Sequence, residues 1–272
     1  ARDFPFIIER ANSRLYFAAP RGKITVTKRN AVRTVPCGKE ATMLYDKKIT
    51  VFGDSIGKGV FTDGGKIEVL KDNAVRLFSD WSGYEIDNRS GYGQSLKRLT
   101  EKGVMDRFIA DANPTAKNVV VLELGGNDAD FDWKAVAAAP EEAHFPKTRV
   151  EEFSGMYADL LTKLRCAGIE TIVCTIVPIS SERYFDNVIS KMVDGNRVLE
   201  YFHGDVNTIH RHQEMFNNEI LKNAFRTGTE VVDLRREFLN TNEFESLICR
   251  DGIHPNAVGQ KKIFEVARAF AS

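Results

Sequence analysis

Apolar and polar positions alternate in two rhythms from residue 47 onward. Short, nearly unbroken apolar runs recur: Lys48-Ile49-Thr50-Val51-Phe52, Tyr84-Glu85-Ile86-Asp87-Asn88, residues 118–124 (Asn-Val-Val-Val-Leu-Glu-Leu), residues 170–177, and Glu230-Val231-Val232-Asp233-Leu234. Such runs, rich in Val and Ile, predict strands, the longest of them covered on both faces. Between them, residues 68–79, 153–167, 207–225 and 257–270 place apolar side chains at helical spacing. Gly168 is the expected C-terminal cap of the second helix. Pro178 stops the fourth strand, and Pro255-Asn256 opens the last helix.

Strand then helix, repeated about five times, predicts a parallel sheet with helices on both sides, an α/β fold. Ligands of such sheets bind beyond the carboxyl ends of the strands. Gly53-Asp54-Ser55, Gly125-Gly126-Asn127-Asp128 and Val177-Pro178 all follow strands, so they should converge on one edge. The first 46 residues differ in texture. Arg14-Leu15-Tyr16-Phe17 and Lys23-Ile24-Thr25-Val26-Thr27 read as short strands split by Pro20-Arg21-Gly22. They predict a β-rich appendage over residues 1–46, with the main domain over residues 47–272.

Composition narrows the function classes. The 272 residues are 43% hydrophobic and 28% charged, ordinary for a globular chain. Lys plus Arg (38) equals Asp plus Glu (38), so charge offers no argument for nucleic acid or an anionic membrane as partner. The most apolar stretch, residues 171–181, is too short to span a bilayer. No basic-then-apolar leader opens the chain, and Ala1 stands where an initiator methionine would. The expectation is a soluble protein, cytoplasmic or exported with its signal already removed. Cys37, Cys166, Cys174 and Cys249 lack metal-type spacing and are expected to be buried, reduced thiols. Neither a metal nor an organic cofactor is expected.

Four segments could carry chemistry. Ser55 lies just past a buried strand among small residues. A serine hydroxyl becomes a nucleophile only beside a base whose tautomer a third group fixes; by itself Ser55 is equally a helix cap. Asp251-Gly252-Ile253-His254-Pro255-Asn256 could supply both other groups. An aspartate three residues before a histidine can fold back through a tight turn and accept the Nδ1 hydrogen, leaving Nε2 to take a proton. The plainer alternative is an exposed loop histidine beside an Asp-Gly turn. Donors for an oxyanion would be the N–H of Gly91 or Gly93 and the amide of Asn127, although Asn127-Asp128 also reads as turn chemistry.

The blocks Gly53-Asp54-Ser55-Ile56, Asn88-Arg89-Ser90-Gly91-Tyr92-Gly93, Gly125-Gly126-Asn127-Asp128 and Asp251-Gly252-Ile253-His254-Pro255-Asn256 resemble, in order and approximate separation, the four conserved blocks of SGNH hydrolases, also called GDSL esterases/lipases. The resemblance covers residues 47–272. It implies a flavodoxin-like three-layer α/β/α sandwich, with Ser55 as nucleophile and first oxyanion donor, Gly93 and Asn127 completing the hole, His254 as base and Asp251 orienting it. Ile56 stands where leucine is usual, and the family's minimal domain lacks the N-terminal segment.

Rival readings are weaker. Gly53-Asp54-Ser55-Ile56-Gly57 also fits the nucleophile elbow of α/β-hydrolases. That elbow follows several strands, however, and its acid and histidine sit on separate loops. Gly57-Lys58-Gly59 lacks the spacing and hydroxyl of a phosphate loop, and Gly91-Tyr92-Gly93 the third glycine of a dinucleotide fingerprint. His210 and His212 face different sides of a helix, so with His203 they read as surface or site-rim residues rather than ligands. Residues 129–147 and 180–204 carry Phe131, Trp133, His144, Phe145, Tyr184, Phe185, Tyr201 and Phe202, to line a pocket or to build a small lid. The expected substrate is a small-molecule or carbohydrate ester with a short acyl group, acetyl before longer chains. A lipase, a thioesterase or an acyltransferase would use the same residues, and a binding module could keep the fold without turnover.

Overall fold

The structure, a computed structural model, describes residues 47–63, 65–113 and 116–272. The expected β-rich appendage at residues 1–46 lies outside the described residues. The strands are β1 (Lys47–Gly53), β2 (Val60–Asp63), β3 (Lys66–Val69), β4 (Ile86–Asn88), β5 (Lys117–Glu123), β6 (Glu170–Cys174) and β7 (Glu230–Val232). Five of them form one sheet in the order β4-β1-β5-β6-β7, every pair parallel. The chain leaves β1 toward β4 and then returns to β5 on the other side. The resulting switch point opens a crevice at the carboxyl end of β1.

Helices cover both faces, completing three layers. Phe52, Val120, Leu122 and Val173 face the helices Val150–Cys166 and Thr208–Thr227, which contribute Phe153, Tyr157, Leu164, Phe216 and Ile220. On the other face Ile56, Cys174 and Val232 pack with Leu234, Phe238 and Ile248, flanked by Ile263 and Val266 of the helix Ala257–Ala271. Full burial of each large apolar side chain contributes on the order of 1.5–3 kcal/mol. The two sandwiched layers therefore anchor the sheet edge on which the loops are mounted.

Three sequence expectations need correction. The helix expected over residues 68–79 begins at Ala74. Upstream of it, β3 pairs antiparallel with β2, Asp63 opposite Lys66. Ile67 and Val69 alternate with polar residues at period two, and Asn73 starts the helix afresh by accepting the Arg76 N–H at 3.1 Å. The strand expected to run to residue 177 leaves the ladder after Cys174. Thr175 N–H still reaches the Val232 carbonyl, but Ile176 N–H turns to the Asn217 side chain, 3.1 Å away. Cys166 is exposed at a helix end, whereas Cys174 and Cys249 are buried thiols as expected.

Residues 129–147 hold one short helix, Trp133–Ala138, and residues 180–204 prove largely helical, with helices at Ser181–Tyr184 and Gly195–Tyr201 and a π-helical turn at Phe185–Ile189. Phe131, Trp133, Val136, Tyr184, Phe185, Ile189, Val198 and Phe202 form a core separate from those of the sheet. Both expectations for these segments meet here: a small cap with its own core, whose inner wall lines the crevice. No helix among the described residues is long and apolar enough to cross a membrane.

Candidate active site

β1 ends at Gly53, and Asp54 caps the single helical turn Ser55–Lys58 by accepting the Ile56 N–H at 2.8 Å. Ser55 is thereby held at the first position of that turn, its side chain nearly buried. From the far end of the chain, residues 251–254 form a turn closed upon one carboxylate. Asp251 Oδ1 accepts the N–H groups of Ile253 (2.9 Å) and His254 (3.0 Å), while Oδ2 accepts from His254 Nδ1 at 2.6 Å. Gly252 makes the turn possible: its φ is 76°, and a Cβ there would lie 2.5 Å from Ser180 O and Tyr184 N. Cys249 N–H bonds the His254 carbonyl at 2.8 Å, and Asn256 caps the following helix through its side chain.

His254 Nε2 then lies 3.0 Å from Ser55 Oγ. Hydroxyl, imidazole and carboxylate stand in one hydrogen-bonded line, drawn from positions 199 residues apart. With Asp251 accepting from Nδ1, the imidazole carries its hydrogen there and turns a lone pair toward the hydroxyl. Burial alone would raise the Asp251 pKa. The hydrogen bond from His254, the imidazole's charge when protonated, and the two main-chain N–H groups outweigh that and hold it below 3.8.

The second and third blocks close the same edge. Arg89 N–H and Gly91 N–H bond the carbonyls of Val51 and Gly53, and Gln94 Nε2 bonds Gly53 O at 2.8 Å. Gly93, at φ 63°, faces the crevice beside Asn127. The Asn127 amide donates to Asp54 Oδ2 (3.2 Å) and to Gln94 O (3.1 Å), so both of its hydrogens are engaged. Asp128 is wholly buried and accepts from Leu96 N, Lys97 N and Thr148 Oγ1, tying three segments together beneath the site.

The crevice measures about 310 Å³. Ser55, His254, Gly93 and Asn127 lie at its floor, with Trp133, Tyr184, Val188, Met192 and Ile209 from the cap along its wall. Asp130 accepts from Trp133 Nε1 (3.1 Å) and Tyr184 Oη (2.9 Å) and pairs with Lys147 (2.7 Å), adding a polar corner. Tyr92 lies nearly parallel to the His254 ring, centroids 6.4 Å apart. Of the other histidines, His210 meets Arg235 Nη2 at 3.2 Å and His212 abuts Phe131 edge-on, while His203 is exposed.

The structure brings together Ser55, Asp251 and His254, with Gly93 and Asn127 on the same crevice, and adds supports that the sequence did not mark. Thr62 donates to Asp251 Oδ2 at 2.8 Å; Gln260 bridges Ile56 O and Ala74 N–H; Glu123 accepts from Asp54 N and Gly57 N. Only Glu123 had a signal, as a carboxyl in an otherwise apolar strand.

The parallel sheet thus carries a crevice at its switch point in which a hydroxyl, an imidazole and a carboxylate stand in hydrogen-bonded line. The chain belongs to the GDSL-like lipase/acylhydrolase family, whose sequence model matches residues 51–262, and it is thus a hydrolase acting on ester bonds. Solved structures share the fold. A lipase/acylhydrolase from Enterococcus faecalis aligns at TM-score 0.54 and 16% identity over 82% of this chain and 94% of its own. The acetyl xylan esterase AlAXEase aligns at TM-score 0.55 and 20% identity over 83% and 100%. An acetyl xylan esterase from Geobacillus stearothermophilus aligns at TM-score 0.56 and 15% identity over 83% and 94%. No curated protein matches.

Proposed function

We propose that this chain hydrolyses short-acyl carboxylic esters, acetyl groups on carbohydrates foremost, through an acyl-enzyme on Ser55. The observation that carries the reading is the continuous line from Ser55 Oγ to His254 Nε2 (3.0 Å) and from His254 Nδ1 to Asp251 (2.6 Å). Ser55 Oγ attacks the ester carbonyl carbon as its proton passes to Nε2. The imidazolium, stabilised by Asp251, then gives that proton to the leaving alcohol as the carbon–oxygen bond breaks. Water, deprotonated by His254, attacks the acyl carbon and frees Ser55.

The tetrahedral oxyanion is taken by the N–H groups of Ser55 and Gly93 and by the Asn127 amide. Gly91 is the weaker candidate because its N–H already bonds Gly53 O. For Asn127 to serve, the oxyanion takes over the hydrogen now given to the Gln94 carbonyl, while the bond to Asp54 keeps the amide in place.

Two structural relatives are acetyl xylan esterases, and the crevice is modest in volume, both of which favour a small acyl group. Its apolar wall favours a longer chain, so chain length is the deciding test. Turnover of p-nitrophenyl esters from acetate to octanoate is expected to be greatest at acetate and butyrate, and Ser55→Ala is expected to lose several orders of magnitude in kcat while staying folded. A maximum at octanoate would replace the acetylesterase reading with a lipase or thioesterase one. Retained turnover in Ser55→Ala would overturn the mechanism.

A further inference from the structure

Glu123 closes β5 on the sheet face that also carries Val119, Val121, Ile172 and Cys174. A carboxyl there is out of keeping with its neighbours, and it is buried. Register explains its position. β5 pairs with β1 so that Glu123 stands beside Gly53, the last residue of β1. Its Oε2 accepts the N–H groups of Asp54 (3.2 Å) and Gly57 (3.1 Å), bracketing Ser55 on both sides. A Cβ on Gly53 would lie 2.8 Å from that oxygen, so only glycine admits the approach.

The Glu123 and Asp54 carboxyl groups are buried close enough for each to shift the other's titration. Two carboxylates offer only acceptors, so a hydrogen bond between them requires a shared proton. Asp54 is otherwise engaged in a way that needs its charge. Oδ1 holds the Ile56 N–H and Oδ2 holds the Asn127 amide.

We propose that Glu123 is a positioning residue that remains a protonated carboxylic acid at neutral pH, donates to Asp54, and through Asp54 holds the Ser55 turn and the Asn127 amide in place for catalysis. This rests on the roles given above to Ser55 and Asn127.

The surrounding charges agree. Burial, opposed by the Ile56 N–H and by His254 and joined by the charge of Asp128, pushes Asp54 up to about 6. Burial first, and then the Asp54 charge, push Glu123 well above its ordinary value of 4.5. Tyr157 and Cys174, which both feel the Glu123 charge, are themselves driven up by burial and stay neutral. Between the two titrations the pair therefore holds one proton, on Glu123. Its loss at higher pH sets two anions against each other and loosens the Asn127 amide.

The experiment compares wild type, Glu123→Gln and Glu123→Ala in kcat, KM and pH profile, together with infrared spectra. A glutamine can still donate one hydrogen to Asp54 and accept from both N–H groups, but it does not titrate. Glu123→Gln is expected to keep kcat within about tenfold of wild type at neutral pH and to lose the alkaline fall in kcat. Glu123→Ala is expected to lower kcat roughly a hundredfold at every pH with KM little changed, as loss of an oxyanion donor would. Wild type at neutral pH should show a protonated-carboxyl stretch that both variants lack. Absence of that stretch from wild type, which requires no variant to fold, would overturn the proposal. So would a wild-type alkaline fall surviving in Glu123→Gln, or a Glu123→Ala enzyme with undiminished kcat. Turnover retained in Ser55→Ala would instead strike the underlying mechanism and is read separately.

Discussion

Thr62 and His254 hydrogen-bond the same oxygen of Asp251: Oδ2 accepts from Thr62 Oγ1 at 2.8 Å and from His254 Nδ1 at 2.6 Å. The other oxygen accepts two main-chain N–H groups, so the buried carboxylate is held by four donors. An anion this fully bonded has little freedom to rotate, and the imidazole it orients inherits that fixity. Thr62 comes from the β2–β3 hairpin, which ties an otherwise peripheral ribbon to the site.

Thr62→Val keeps the shape of the side chain and removes the hydroxyl. A hydrogen bond to a charged group contributes about 1.5–3 kcal/mol, so loss of this one should lower kcat by roughly tenfold. KM should hardly move, because Thr62 lies behind Asp251 and not in the crevice. Steady-state kinetics on p-nitrophenyl acetate checks this; a kcat equal to wild type would remove Thr62 from the catalytic support.

Asn127→Ala removes both hydrogens of the amide, one held by Asp54 and one given to Gln94 O. In the proposed mechanism only the second is exchanged when an oxyanion forms, so the donor would act on the transition state and hardly on the bound ester. The expected outcome is a fall in kcat of roughly a hundredfold with KM within a few-fold of wild type. A change confined to KM would place Asn127 in substrate binding instead.

The sheet was legible in sequence because strands covered on both faces must be continuously apolar, and β1, β5 and β6 obey that rule across 47–53, 117–123 and 170–174. The residues of the candidate site were legible because they sit in four short blocks whose order resembles that of a known family, each at a strand end or before a helix. The β2–β3 hairpin was missed because Ile67, Val69, Val75 and Phe78 together mimic a helical stripe, and only the Asn73 cap divides them. The supports were missed for a different reason. Thr62, Gln260 and Glu123 act across 189, 204 and 69 residues of chain, distances at which no local pattern marks a partner.

Asp251 also links the site to stability. Its pKa in the fold lies below the ordinary 3.8, since the His254 and main-chain hydrogen bonds prevail over burial. A carboxyl depressed by folding contributes stability that is complete above its unfolded pKa and disappears as pH falls through its folded one. Asp251→Asn cannot ionise and lacks that contribution at every pH. The difference in Tm between wild type and Asp251→Asn should therefore be widest near neutrality and close progressively below pH 3.8. At neutral pH the same variant should lose several orders of magnitude in kcat, because an amide can present its N–H to His254 and reverse the tautomer. Thermal denaturation across pH separates the two effects: a Tm difference independent of pH would mean that Asp251 contributes shape to the turn and no charge to the fold.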